Sequence, residues 1–281
     1  MPDSVPRLWL SCGFAILIWY IGPAWADQLL TVEDSPAYFP DDVGNYWSYR
    51  GEVTEGPVQS IEHKIFVNES KVLRTEKRKG VELTVFHDSN AGNHGPSDSY
   101  YRRDAVGIVY HGSEPGTPLE RQLVPYQIVQ FPLRYPSSFQ QFDRNQLDFG
   151  NDLDGDGVNE RVDVQGVASV VGRDSVTVPA GKFPDTVHLE ARMMLRITLS
   201  ANKHAVTGTD VMNAWFAKGV GMVKYVERQE LPPLRRDRGL VSEIQEELVD
   251  YQVKGPLQSF DRRESPPQGI FAHDTRGHEL Q

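Results

Sequence analysis

The chain has 281 residues, 39% of them apolar and 24% charged, a globular composition that excludes disordered, fibrous and multi-pass membrane classes. Lys and Arg number 29 against 39 Asp and Glu, for a formal net charge of −10. A phosphate backbone is repelled by that balance, so nucleic-acid binding is not expected.

The chain opens with an address. Arg7 precedes an apolar run over residues 8–21, Gly22-Pro23 breaks it, and Ala24-Trp25-Ala26 supplies a small-x-small cleavage pattern. The run is shorter than the roughly 18 apolar residues that a spanning helix needs. Residues 1–26 therefore read as a secretory signal peptide, and the protein as exported to the periplasm or beyond, with no transmembrane span after cleavage. Cys12, the single cysteine, lies inside that run, so cleavage leaves no disulfide, thiolate nucleophile or cysteine metal ligand.

Beyond the leader, most of the chain alternates apolar and polar residues with period two, rich in Val, Ile, Tyr, Phe and Thr and punctuated by Gly, Pro, Asn and Asp. This pattern predicts strands at 46–53, 60–67, 72–75, 82–87, 99–103, 108–111, 128–131, 162–171, 175–178, 186–199 and 222–228. Lys79-Gly80, residues 104–107 and residues 179–182 supply turns. Val241, Ile244, Leu248 and Tyr251 fit one helical face, yet 248–253 also reads as strand, and strand is favoured. Residues 90–98 and 231–239 look like surface insertions. Pro256, Pro266, Pro267 and many charges make 255–281 a disordered tail. The expected fold is all-β: an antiparallel, strongly bent sheet, a half-barrel or a sandwich in one domain over residues 27–254. Phe39-Pro40 precedes Trp47 by eight positions, as Phe131-Pro132 precedes Phe139. That echo suggests two similar halves, 38–125 and 126–254.

One loop carries metal chemistry. Asp152-Leu153-Asp154-Gly155-Asp156-Gly157-Val158-Asn159-Glu160 sets carboxylates at loop positions 1, 3, 5 and 9 with glycine at 6, the grammar of a calcium loop. Asp152, Asp154, Asp156 and Glu160 offer hard oxygens, the Val158 carbonyl offers another, and Asp163 stands at position 12, where a helical calcium site carries a longer Glu. Oxygen ligands alone favour calcium over zinc or copper, and its expected role is structural. Without a cation, the same run would be a solvated turn held by Asx hydrogen bonds.

The common hydrolase and nucleotide signatures are absent: no Gly-x-Ser-x-Gly, no His-Glu-x-x-His and no Gly-x-x-x-x-Gly-Lys occurs. No catalytic or cofactor-binding residue is assigned. The aromatics recur along the strands, and a minority of them suits a concave sheet holding an apolar or sugar-like ligand.

Three segments resemble a family of exported bacterial proteins of unassigned function, sometimes called TapB-like. They are Tyr38-Phe39-Pro40 with residues 44–49 (Gly-Asn-Tyr-Trp-Ser-Tyr), residues 176–183 (Val-Thr-Val-Pro-Ala-Gly-Lys-Phe), and residues 215–225 (Trp-Phe-Ala-Lys-Gly-Val-Gly-Met-Val-Lys-Tyr). The resemblance spans about residues 38–253 and implies a predominantly β envelope domain, with no catalytic residue to carry over. Tyr135-Pro136-Ser137-Ser138-Phe139 stands where the family pattern would repeat Gly-x-x-Trp, and the acidic loop looks like a local elaboration.

The resulting expectation is a secreted or periplasmic, non-enzymatic β-domain with a calcium loop, binding an apolar ligand or an envelope partner. Two alternatives stand beside it: a hydrolase of envelope polysaccharide using paired carboxylates, and a purely structural envelope component.

Overall fold

The period-two segments join into one continuous sheet. In the computed structural model, residues 29–58, 60–231 and 239–254 are described. The expected signal peptide, the tail from residue 255 and residues 232–238 of the arginine-rich loop lie outside the described residues.

A two-residue strand, β1 (Leu30–Thr31), pairs with another, β8 (Arg134–Tyr135). The remaining strands are β2 (Tyr46–Pro57), β3 (Glu62–Arg78), β4 (Val81–Asp88), β5 (Ser97–Asp104), β6 (Gly107–Glu114), β7 (Tyr126–Gln130), β9 (Ser137–Asp148), β10 (Arg161–Val178), β11 (Gly181–Thr198), β12 (Ala205–Ala217), β13 (Gly221–Leu231) and β14 (Leu240–Gln252). These form a 12-stranded antiparallel sheet in the order β7-β6-β5-β4-β3-β2-β14-β13-β12-β11-β10-β9. Two hairpin-linked meanders, β2–β7 and β9–β14, thus join where β14 lies beside β2. The all-β, bent antiparallel expectation holds, and the bend is nearly complete: the sheet almost closes into a barrel. Its two edges, β7 and β9, meet at a seam where Gln141 Nε2 donates to Gln127 O at 3.2 Å and the rings of Tyr126 and Phe142 lie 4.9 Å apart. Bringing the edges together hides the unpaired backbone groups that an open sheet exposes.

Several predicted boundaries change. Segments 60–67 and 72–75 fall on one strand because Asn68, Glu69, Ser70 and Lys71 keep an unbroken ladder with β2, and 162–171 and 175–178 fall on another because bulges at Val170/Gly172 and Asp174/Val176 shift the register without ending the ladder. Strands β9 and β12 were not expected. Within residues 90–98 a 3-10 turn, Ala91–Asn93, places Gly92 against Ile244, so this stretch packs on the barrel instead of standing off its surface. A short helix, α1 (Pro118–Leu123), follows β6, started by a capping box in which Thr117 Oγ1 accepts from Glu120 N at 3.1 Å and Glu120 Oε2 accepts from Thr117 N at 3.1 Å.

The core is the barrel interior with a plug at each end. At one end Tyr38, Phe39 and Leu133 pack on Ile108, Val129, Val170 and Val187. At the other, Leu119 and Leu123 of α1 cover Phe142, Val162, Leu195 and Ile197. No helix among the described residues is long and apolar enough to cross a membrane.

Candidate functional site

Aromatic residues on the inward faces of successive strands form a chain of ring contacts. Trp47 on β2 stacks near Phe86 on β4 (6.2 Å), Phe86 meets Tyr101 on β5 edge-on (5.4 Å), and Tyr101 approaches Tyr110 on β6 (5.4 Å). Tyr110 reaches Tyr126 (5.5 Å), which contacts Phe142 across the seam. Burial raises the phenol pKa of Tyr101, to about 12, and also those of Tyr49, Tyr110, Tyr126 and Tyr225. These hydroxyls are therefore neutral donors.

Between this chain of rings and the Phe39 plug lies a cavity of about 260 Å³. Its walls are mainly Phe39, Trp47, Phe86, Tyr101, Phe216 and Met222, with Ser70 and Asp88 as polar wall and Asp41 and Arg103 among the lining groups. The local sequence explains the shape. Trp47 is fixed by its Nε1 donating to Val220 O at 2.6 Å, and Tyr49 by its hydroxyl donating to Met222 O at 3.0 Å, so the hairpin between β12 and β13 is tied to β2. Arg103 donates to Asp41 Oδ1 at 2.6 Å, to Pro36 O at 2.8 Å and to Phe39 O. Burial raises the Asp41 pKa, against the lowering by Arg103.

Acidic groups continue inward from the cavity. Asn68 Nδ2 donates to Asp88 Oδ1 at 3.1 Å and to Glu246 Oε1 at 3.3 Å. Burial raises the Asp88 pKa, and raises that of Glu246 to about 7 with help from the charge of Asp88. Further along, Tyr225 donates to Glu227 Oε2 at 2.7 Å, and Asp210, only 4% exposed, has its pKa pushed up to about 8 by burial and by Glu227. Asp210 Oδ1 accepts no hydrogen bond. Sequence reading missed these interior acids, because strand spacing marks a residue's face but the acids are numerous on both faces.

The acidic loop connects β9 to β10 at the α1 end. Asp152, Asp154 and Asp156 each bring a carboxylate oxygen within 4.8 Å of the others, the one such group of metal-ligating side chains among the described residues. Glu160 is not aimed with them. Fully buried, it accepts from Leu153 N at 3.1 Å, Asp154 N at 3.2 Å and Ser200 N at 2.6 Å. It therefore pins the loop to the turn between β11 and β12. Asp152 accepts from the amides of Gly155, Asp156 and Gly157, and Asp156 from Val158 N and Ser200 Oγ. Asp154 Oδ2 accepts from Ala201 N at 3.0 Å, while its Oδ1 is shut off from solvent and accepts nothing. Val158 leaves its side chain exposed. Asp163 is apart from the group: on β10 it accepts from Gln146 N at 2.9 Å and meets Arg196 at 3.5 Å, contacts that lower its pKa.

No family model matches the chain, and no curated protein matches it. Among solved structures, it is similar to an inferred lipoprotein from Parabacteroides distasonis ATCC 8503, with 15% identity, 76% of this chain and 98% of that chain covered, and a TM-score of 0.34. An inferred exported protein with YmcC-like fold from Bacteroides fragilis NCTC 9343 gives 14% identity, 76% and 98% coverage, and a TM-score of 0.33. An inferred outer membrane lipoprotein-sorting protein domain from Vibrio parahaemolyticus gives 9%, 81% and 92% coverage, and 0.21. Likeness at this level carries no argument about function.

Proposed function

We propose that the protein is an exported, non-enzymatic β-barrel that holds an apolar ligand in its interior. The observation that carries this reading is the cavity of about 260 Å³ walled by Phe39, Trp47, Phe86, Tyr101, Phe216 and Met222; concave, mostly apolar sites with a few polar groups are where small ligands bind. Export rests on the leader pattern ending at Ala26. The likeness to the TapB-like family adds no residue to this reading. Calorimetric titration of the purified protein with 1-octanol gives saturable binding that Met222→Trp, which fills the cavity, removes. Absence of saturable heat with any octyl compound would sink the reading.

The loop supports a structural calcium ion held by Asp152, Asp154 and Asp156. Three convergent carboxylates repel one another unless a cation neutralises them, and Asp154 Oδ1 is an enclosed oxygen with no protein donor. Glu160 serves this site from behind by ordering the backbone.

Hydrolysis of an envelope polysaccharide is a second reading, favoured by one observation: Asp41 and Asp88 both line the cavity and both have raised pKa values. It requires that the protein release reducing ends from envelope polysaccharide and that Asp88→Asn stop the release.

A further inference from the structure

The charges lining the cavity define a ligand class. They are Asp41, Arg103 and Asp88. Arg103 and Asp41 form an ion pair at 2.6 Å, and Arg103 also donates to two backbone carbonyls, so this pair cancels within itself. Asp88 has no such partner. Its carboxylate meets only neutral donors, the Asn68 amide and the Ser70 hydroxyl, and the same Asn68 nitrogen serves Glu246 behind it. The imidazole next along the strand, His87, meets Asp98 at 2.7 Å instead. Around the space in front of Asp88 stand the rings of Trp47, Phe86 and Tyr101, whose faces attract a cation as well as an apolar surface.

We infer that the ligand of this cavity carries a cationic nitrogen, seated against Asp88 among these rings, on an apolar body that fills the rest of the space. The inference rests on the reading of the cavity as a ligand site. A carboxylate or phosphate head is disfavoured there, since it would face Asp88 with the only lining cation already paired. A wholly apolar ligand would strip water from Asp88 and give nothing back, which is costly for a polar group and more so for a charged one. A cation both replaces the lost water and relieves the repulsion between the two acids that share Asn68.

The test is a set of three probes with the same eight-carbon chain, octyltrimethylammonium, 1-octanol and octanoate, titrated calorimetrically into the purified protein. The expected result is that the cation binds at least about ten-fold more tightly than octanol, that octanoate binds more weakly than either, and that Asp88→Asn removes the preference for the cation, leaving cation and octanol within about two-fold of each other. The unmodified protein decides alone if that variant does not fold. Octanol or octanoate binding as tightly as the cation overturns the inference and leaves the cavity as an apolar site. So does an Asp88→Asn protein, folded by circular dichroism, that keeps the full preference for the cation. No saturable heat from any of the three overturns the ligand-site reading and this inference together.

Discussion

The ring of Phe66 lies over Gly51, its register partner across the β2–β3 ladder, in the space a Cβ at Gly51 would occupy. Phe142 stands in the same relation to Gly166 on β10, where a Cβ would sit 2.5 Å from the ring. In both pairs a strand glycine, weak on its own account, is covered by an aromatic ring from the neighbouring strand, the device by which curved sheets fill the inside of a bend.

This relationship predicts the sign of a substitution that chain entropy alone would get wrong. Replacing a strand glycine by alanine gains about 0.5–1 kcal/mol from the backbone, but at Gly51 the ring of the buried Phe66 must move, an overpacking cost of about 1–3 kcal/mol. Gly51→Ala therefore lowers the urea midpoint. Phe66→Ala costs about 3–5 kcal/mol, and adding Gly51→Ala to it is neutral or stabilising. A double-mutant cycle with no coupling between the two positions would refute the packing argument.

The seam is the weak side of the barrel. Across it, one side-chain to backbone hydrogen bond, Gln141 to Gln127, and the Tyr126–Phe142 contact stand where other strand pairs have a ladder. The amides of β7 and β9 that face the seam are expected to exchange with deuterium faster than those of β2 and β14, which sit at the centre of the sheet. Phe142→Ala should widen that difference while lowering global stability by about 3–5 kcal/mol. Equal protection of central and seam strands would mean that the barrel is more closed than its hydrogen bonds show.

Stability should fall as pH rises through the neutral range. Glu246 and Asp210 have folded pKa values of about 7 and about 8 because of burial, against about 4 in the unfolded chain. Between those limits the folded state holds protons that the unfolded state has released. The stabilisation is complete below pH ~4 and is lost up to about pH 7 for Glu246 and pH 8 for Asp210, at roughly 1.4 kcal/mol per pH unit for each group. Carboxylates held low, such as Asp163, act the other way, but their contribution is lost only as pH falls below about 4. Urea midpoints should drop from about pH 5 to about pH 8, and Asp210→Asn should flatten the upper part of the curve. A rise over that range would show that the interior acids are not protonated in the fold.

How far these features were legible in the sequence depends on how local their causes are. Alternation announced β11, where Val187, Leu189, Ala191, Met193, Leu195 and Ile197 stand at every second position, and β4, where Leu83 and Val85 do. It failed at β9, where Gln140, Gln141, Asn145 and Gln146 hide the period along an edge strand. It failed again at β12, because Gly208 and Asp210 occupy inward positions where apolar residues are expected. The acidic loop was readable because Asp152, Asp154 and Asp156 lie within one short stretch of chain, whereas Asp163 belongs to a strand whose orientation no loop grammar encodes. The cavity was not readable: Phe39, Phe86, Tyr101 and Phe216 converge only through barrel closure.

The loop between β9 and β10 gives a sharp test of calcium. Extracellular calcium modules have dissociation constants of about 10⁻⁴–10⁻³ M, so about 10 mM calcium should stabilise the fold by roughly 1.4–2.7 kcal/mol over the same protein in EDTA. Asp154→Asn keeps an oxygen for Ala201 N but removes one of three mutually repelling charges. It should raise Tm slightly in EDTA and abolish most of the calcium increment. Glu160→Gln acts by a different route. It weakens charge-assisted hydrogen bonds from Leu153, Asp154 and Ser200, so it should lower stability by about 1.5–3 kcal/mol with or without calcium. The contrast separates a ligand from a residue that shapes the loop. An identical Tm for the unmodified protein in calcium and in EDTA would leave Asp152, Asp154 and Asp156 as a solvated acidic turn.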